Sequence, residues 1–409
     1  MLWTYVKLAW RNLFRNKRRS LIAGIAIGLG LASLIFVDAM IIGMRDNMIA
    51  SATSSFLGEG QIHQKDFRTT QSVENTIQNK DWVVSNLEEE KIVEHFTRRV
   101  MNMAMINSAA NMSSISLVGI DPETEKPLSQ VDDAITKGAF FEENRERDIL
   151  IGSKLAEILE VDMGDRVVVT VSQAETGDLS QEMFLVSGIY HFNMKEMDRG
   201  MAFVRLRKAQ DMFNIGDEIH EIAINFTSTK YGREGHLPFW DKYSKYSNEA
   251  LGWTKLMPQL KAALDLSSFS TYLTGLILFG VVSLGIINTL FMSLYERMFE
   301  FGVLRAVGTR PFGIARLILL EAGALAILSI ILGNIIGFVI TYTVSKVGID
   351  YTGIEFAGVT FRELLYPVLE VSQFIYYPLW VFVLTVVVGI YPAVYAAKIS
   401  PADAMRKVL

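Results

Sequence analysis

Cysteine is absent from this 409-residue chain, which excludes structural disulfides, thiol chemistry and lipid attachment through cysteine while leaving the compartment open. Histidine is scarce, and His63, His95, His191, His220 and His236 lack the close helical spacing of a zinc-protease site. A phosphate-cradling loop is missing too. The run from Gly302 to Gly308 has the wrong spacing, and Thr309-Arg310 stands where a nucleotide loop needs Lys followed by Ser or Thr. Acidic clusters such as Glu88-Glu89-Glu90 and Glu142-Glu143 read as solvated surface, not as a paired acid and base. No low-complexity tract or internal repeat is present. The chain is therefore not expected to be an enzyme, to bind a metal or cofactor, or to bind ATP itself. A nucleic-acid partner is excluded as well, because the polar middle of the chain is acidic on balance.

Long apolar runs, by contrast, are plentiful. They cover residues 21–42, 272–294, 317–344 and 377–397, each near the ~20 residues a helix needs to cross a hydrocarbon core of about 30 Å. The block between the first two, residues 43–266, carries no such run. The fold class that follows is an α-helical membrane protein with four transmembrane helices and a large extracytoplasmic α+β domain inserted between helices 1 and 2. Within that domain, β-rich runs fall at residues 100–106, 114–119, 166–171, 183–190, 202–206 and 221–226. Helical patterns fall at 81–95, 153–159, 207–213 and 254–264. Its length suggests two lobes, the inner one spanning about 121–219, with 227–248 a solvated connection back to the membrane.

Orientation follows from the basic residues beside the spans. Lys7, Arg11, Arg15, Lys17, Arg18 and Arg19 precede the first. Arg297, Arg305, Arg310 and Arg316 lie between the second and third, and Lys398, Arg406 and Lys407 follow the fourth. Together these are about a third of the 39 basic residues. The expected topology places both termini and the 295–316 connection in the cytoplasm, with 43–266 and the 345–376 loop outside and 398–409 as a cytoplasmic tail. Ala50-Ser51-Ala52 resembles a signal-peptide cleavage site, but the apolar run before it exceeds the 7 to 15 residues usual for such a signal.

Residues 1–20 form an amphipathic pattern. Trp3, Val6, Trp10, Leu13 and Phe14 share one helical stripe, and Lys7, Arg11, Arg15 and Arg18 another. Two readings stand: a helix lying among lipid headgroups, or charge that serves only to set topology. In the spans, Gly24 and Gly28, and again Gly333 and Gly337, have the four-residue spacing that lets helices approach closely. Asn288, Asn334 and Glu321 are polar groups in apolar surroundings that tend to face protein or water. Asn288 joins the four glycines as a candidate for packing or gating.

The 295–316 connection is short and amphipathic. Phe299, Gly302, Val303 and Ala306 make an apolar face, and Glu296, Arg297, Glu300 and Arg305 supply charge around it. Such an element suits docking of a soluble cytoplasmic partner. The same residues carry a family likeness. Asn288-Thr289-Leu290, Glu296-Arg297, Glu300, Gly302, Leu304-Arg305-Ala306 and Gly308 resemble the signature of MacB-type ABC transporter permeases. So does the ending, through Tyr391-Pro392-Ala393, Ala396-Ala397-Lys398 and Ser400-Pro401-Ala402-Asp403-Ala404-Met405-Arg406. Val118-Gly119-Ile120-Asp121-Pro122, the stretch from Ile151-Gly152-Ser153 to Gly164-Asp165, and Ser187-Gly188-Ile189-Tyr190 resemble the LolC/LolE lipoprotein-releasing branch. The opening Ala9-Trp10-Arg11-Asn12-Leu13 looks more like the wider MacB type.

What the resemblance implies is a permease subunit in a bacterial inner membrane, with its large domain periplasmic. Its partners would be a dimer of cytoplasmic ABC ATPase subunits, which bring ATP and Mg, and a second permease, identical or related. A periplasmic lipoprotein chaperone or adaptor would receive the cargo, a lipoprotein or another hydrophobic molecule drawn from among membrane lipids. Glu296, Arg297, Phe299, Glu300, Gly302, Val303, Arg305, Ala306 and Gly308 would couple to the ATPase. The alternatives are a MacB-like efflux or mechanotransmission subunit, and an ATPase-coupled regulator of a periplasmic enzyme.

Overall fold

A computed structural model describes residues 2–15, 17–141, 145–174, 176–192, 194–356, 359–360 and 364–398. Glu142-Glu143 and the ending from Ser400 to Arg406 lie outside the described residues. The chain forms two compact units, one of residues 1–46, 264–350 and 364–409, the other of 47–263 and 351–363.

The first unit is helical. Four helices, Lys17–Ala52, Pro258–Glu296, Pro311–Val347 and Gln373–Lys398, are long and apolar enough to cross a membrane. The first of them extends well beyond the apolar run at 21–42, and its 36 residues reach about 54 Å at 1.5 Å per residue. The second absorbs the separate helix expected at 254–264. That segment instead breaks at Met257, after a short turn Trp253–Leu256, and Pro258 opens the long helix.

Small residues set the packing between the first and third long helices. A Cβ on Gly28 would stand 3.0 Å from both the Gly333 nitrogen and the Ser329 carbonyl oxygen, and one on Gly333 would stand 2.8 Å from the Gly28 oxygen. Gly24 faces Leu328 and Gly337 faces Ala32, so the two glycine pairs form one seam. Around it, Leu31, Ile35, Ile286, Ala322 and Val381 make a buried apolar core. Gly28→Ala must push the two backbones apart and is expected to cost about 1–2 kcal/mol by overpacking. A lowered thermal midpoint of the detergent-purified protein is the readout.

The second unit is built on one ten-stranded mixed sheet. Its strands are β1 (Gly60–Gln64), β2 (Val93–Asn107), β3 (Met112–Ile120), β4 (Ile135–Gly138), β5 (Asp148–Gly152), β6 (Arg166–Ser172), β7 (Leu179–Tyr190), β8 (Met201–Arg205), β9 (Glu221–Phe226) and β10 (Asn248–Gly252). The order is β10-β1-β9-β2-β3-β8-β5-β7-β4, with β6 paired to β2 and β7. Alternation does the local work: in β6, Val167, Val169 and Val171 point into the core while Arg166 and Ser172 face out. The helices Ser153–Leu159 and Leu206–Phe213 bury Leu155, Leu159, Met212 and Phe213 in the same core.

Three expectations for this unit are corrected. The sheet does not divide at residues 121 and 219, because the 15-residue strand β2 pairs with β9 along one stretch and with β3 and β6 along another. The helix expected over 81–95 ends at Glu88, and His95 lies in β2. The supposed connection at 227–248 is part of the core: Phe239, Trp240 and Tyr243 of the helix Pro238–Tyr243 are buried, with Phe226 edge-on to Phe239 at 5.3 Å.

Charge is buried here as well. Arg99 of β2 is wholly enclosed, donating to Glu125 at 2.6 and 3.0 Å and to Glu221 at 2.9 Å, with its guanidinium 3.7 Å from the centre of the Phe56 ring. Burial raises the pKa of Glu221, and the facing Arg99 opposes that shift. Nearby His63 and His220 are enclosed, and burial lowers each to about 4, so both are neutral at physiological pH.

Candidate functional site

The second long helix ends at Glu296, and Arg297 leaves helical geometry at φ −109, ψ 14 before the short helix Met298–Ala306 begins. That helix stops at Gly308, whose φ of +101 lies where a side chain is strained. The Gly308 and Thr309 amides close the turn onto the Arg305 and Leu304 carbonyls. Arg310 is extended, and Pro311 supplies the first turn of the third long helix. The 295–316 connection is therefore nine helical residues and a tight turn, and residues 311–316 already belong to the next helix.

The short helix has two apolar sides. Met298, Phe301 and Gly302 are buried, in company with Leu294, Ile314, Leu317 and, from the N-terminal helix Leu2–Arg15, Ala9. Phe299 and Val303 are about half exposed, Ala306 is exposed, and Val307 is 83% exposed. Gly302 is thus corrected from the outward face to the inward one.

Charge ties the inward side in place. Arg297 donates through Nη1 to both oxygens of Glu321 at 2.6 and 2.8 Å, and through Nε to Glu300 at 3.1 Å. Asn12 Nδ2 donates to Glu321 at 2.6 Å, and Arg15 Nη2 to Glu300 at 2.6 Å. The hydrogen bond from Arg15, reinforced by Arg297, holds the Glu300 carboxyl below its ordinary range. Four segments therefore meet here: the N-terminal helix, the end of the second long helix, the short helix and the start of the third. Arg305 points into its own turn, its Nη1 3.5 Å from the Thr309 oxygen, and does not join the network. Glu296 is exposed at the helix end, and Asn288 lies apart from both the network and the glycine seam.

Sequence reasoning missed Asn12 and Arg15 as partners, and took Glu321 only as a polar group near a helix end. Arg297 and Glu300 are three residues apart on one helix, which spacing reveals; Glu321 comes from another helix, which spacing does not. The N-terminal helix is likewise divided. Trp3, Trp10 and Phe14 are exposed, but Leu13 turns inward with Ala9, out of the stripe assigned to it.

One cluster in the second unit has the composition of a hydrolytic triad. Ser153 Oγ and Asp198 Oδ2 lie 2.8 and 2.9 Å from His191, but both contact Nδ1. A relay needs nucleophile and orienter on opposite ring nitrogens. Sharing one nitrogen, the trio pins the start of the helix Ser153–Leu159 to the helix Lys195–Gly200. Among the described residues, no group of three His, Asp or Glu is placed to hold a metal ion.

The MacB-like periplasmic core domain model matches residues 20–230, more than half of the chain. The chain belongs to that family. The FtsX-like permease C-terminal model matches residues 272–401, which includes the short helix, its network and the last two long helices. With both matches in one polypeptide, this MacB-like chain is a permease. Among curated relatives, LolC of the lipoprotein-releasing system from Xylella fastidiosa strain Temecula1 is 24% identical over 70% of this chain and 72% of its own. LolE from Haemophilus influenzae is 20% identical over 97% of this chain and 98% of its own. The macrolide export ATP-binding/permease protein MacB from Psychrobacter cryohalolentis is 24% identical over 98% of this chain but 59% of its own.

Proposed function

We propose that this permease is the membrane subunit of an ABC transporter of the LolC/LolE or MacB type, that it extracts lipoproteins from the outer leaflet of a bacterial inner membrane, and that a separate cytoplasmic ATPase drives it. In this reading the 47–263 unit is periplasmic, inserted between the first and second membrane helices, and both chain ends are cytoplasmic. The basic residues beside the helix ends support that orientation.

The single observation that carries the coupling role is the two-sided short helix. One side is held by Arg297, Glu321, Glu300 and Arg15, and the other presents Phe299, Val303, Ala306 and Val307 to solvent. An ATPase that grips the exposed side moves the ends of the second and third long helices together, because the held side is not free to slip. Lipoprotein release needs such a drive: each acyl methylene taken out of the bilayer opposes extraction by about 0.8 kcal/mol. The ATPase subunits supply the nucleotide and Mg chemistry, and a second permease copy or relative completes the membrane part. Periplasmic delivery then falls to a lipoprotein chaperone or adaptor. Efflux of the MacB kind is the second reading, favoured by the matched relative of that name.

Phe299→Asp/Val303→Asp tests the role. The double variant is expected to lower permease-stimulated ATP hydrolysis by about tenfold, as loss of exposed apolar anchors does at other interfaces, without changing the thermal midpoint of the permease. Unaltered stimulation would remove this helix as the transmitter. Lipoprotein retained by proteoliposomes of the unaltered complex, with macrolide exported instead, would move the cargo assignment to efflux.

A further inference from the structure

Residues 101–105 read Met-Asn-Met-Ala-Met. They lie in β2, where a period of two puts Met101, Met103 and Met105 on the face opposite to the core residues Ala104 and Ile106. Met101 is partly covered by a second buried cluster, but Met103 is 50% exposed and Met105 40%. On β3 the chain adds Met112, 66% exposed. Register sets the spacing. Met103 and Met105 are two residues apart on one strand, about 6.6 Å. Met105 stands opposite Ser114 and Asn107 opposite Met112, so Met112 is diagonal to Met105, a separation of about 7–8 Å.

What this row offers is sulfur, not apolar area in general. Among the described residues of the 47–263 unit, every large apolar side chain left exposed is a methionine apart from Leu179 and Tyr246. The positions beside the row are small and uncharged: Ser116 faces Met103, and Ser114 and Thr170 flank Met105. A protein partner would look for aromatic and arginine anchors, which those positions do not supply. A hard cation would look for carboxylates, and none stands at them. A thioether sulfur is uncharged and polarizable, and it selects soft ions such as Cu(I). The expectation that the chain binds no metal rested on imidazole, carboxylate and thiol ligands, and a thioether pair lies outside that pattern.

We propose that Met103 and Met105 form a binding site for one soft monovalent cation, Cu(I), held between their two thioether sulfurs, with Met112 as the alternative partner of Met105. Each sulfur stands two bonds beyond its Cβ, so either pair can close on an ion from these spacings without moving the backbone. All three cannot do so at once, because Met103 and Met112 lie on opposite sides of Met105 along the strand direction. With cysteine absent, no thiolate of the chain competes for the ion. The site uses no residue of the helical unit, and it does not depend on which cargo the permease moves.

Ag(I), which stays monovalent in air, is the probe. The full-length protein in detergent is treated with dilute hydrogen peroxide, with and without one equivalent of Ag(I), and sulfoxide at each methionine is read by peptide mass spectrometry. A sulfur that donates to Ag(I) is blocked from oxidation, so Met103 and Met105 are expected to be protected, while Met183, 44% exposed on β7, oxidises as before. Native mass spectra should show one Ag(I) per chain. That ion should be lost in Met103→Leu/Met105→Leu, which keeps the apolar volume and removes only the sulfur. It should be kept in Met163→Leu/Met183→Leu, which removes two exposed thioethers from separate places in the fold. Cu(I) added without oxygen should displace it, and Zn(II) should not. Protection spread equally over the exposed methionines, equal Ag(I) uptake by both double variants, displacement by Zn(II), or no retained ion at all would overturn the site.

Discussion

Arg297→Ala is expected to destabilise the helical unit by about 3 kcal/mol and to uncouple it from the ATPase. Arg297 and Glu321 are only 12% and 13% exposed at their side chains, and removal of one partner from such a pair leaves the other charge enclosed, at about 3–5 kcal/mol. Asn12 would remain on Glu321, but one neutral donor does not replace a two-pronged guanidinium. Arg297→Lys should rescue little, since a point charge cannot serve Glu321 and Glu300 together. Arg297→Met/Glu321→Met separates the two effects. It should recover most of the stability, as apolar replacement of both partners does elsewhere, while stimulated ATP hydrolysis stays low because the short helix is no longer tied to the third. Thermal unfolding of the detergent-purified permease and ATP turnover of the reconstituted complex are the two readouts. A single variant within about 0.5 kcal/mol of the parent, the range of an ordinary surface change, would show that Met298 and Phe301 hold the helix by packing alone.

Magnitude also ranks the members of this network. The Arg15–Glu300 pair is as short as Arg297–Glu321, but its side chains are 54% and 41% exposed, and exposed pairs contribute about 0–1 kcal/mol. Arg15 therefore orients Glu300 more than it stabilises it. The rigid part is the inner triangle of Arg297, Glu321 and Asn12; Glu300 is the outer contact. Glu300→Ala should consequently be mild in stability.

How far the chain could be read in advance depended on whether a feature was local. The apolar runs were visible because about 20 consecutive residues state their own requirement, and strand β9 was placed at residues 221–226 by composition alone. Strand β5 was missed: Asp148 stands in it, and its five residues are buried throughout, so no alternation marks it. The helix Pro238–Tyr243 was taken for solvated chain because Lys and Tyr surround it, yet Phe239, Trp240 and Tyr243 close the core. Of the site, the charged i,i+3 pair was legible and the third-helix partner was not. Contacts 309 and 285 residues apart in sequence, those of Asn12 with Glu321 and Arg15 with Glu300, exist only once the helices have packed.

Arg99 offers the sharpest test of the second unit. Arg99→Met is expected to cost about 3–5 kcal/mol, because Glu125 and Glu221 would both lose their ion-pair partner in a site closed to water. One of the two carboxyls must take up a proton or the strands must part. Burial already pushes the Glu221 pKa upward, and loss of Arg99, which opposes that shift, favours its protonated form further. The variant should therefore gain stability relative to the parent as pH falls toward the raised carboxyl range, and lose it as pH rises. Arg99→Met/Glu125→Leu/Glu221→Leu removes every charge at once and should recover most of the loss, with the introduced thioether side chain packed against Phe56. The geometry explains why the ions stand there: Arg99 joins β2 to β9 through Glu221 and to the helix Pro122–Glu125 through Glu125. Its two ion pairs thus fix the long strand that both halves of the sheet share. Unfolding midpoints of the parent and the two variants across a pH range of about 5 to 8 decide it: a neutral single variant, or a triple variant no better than the single, would show that apolar packing holds β2 without the ions.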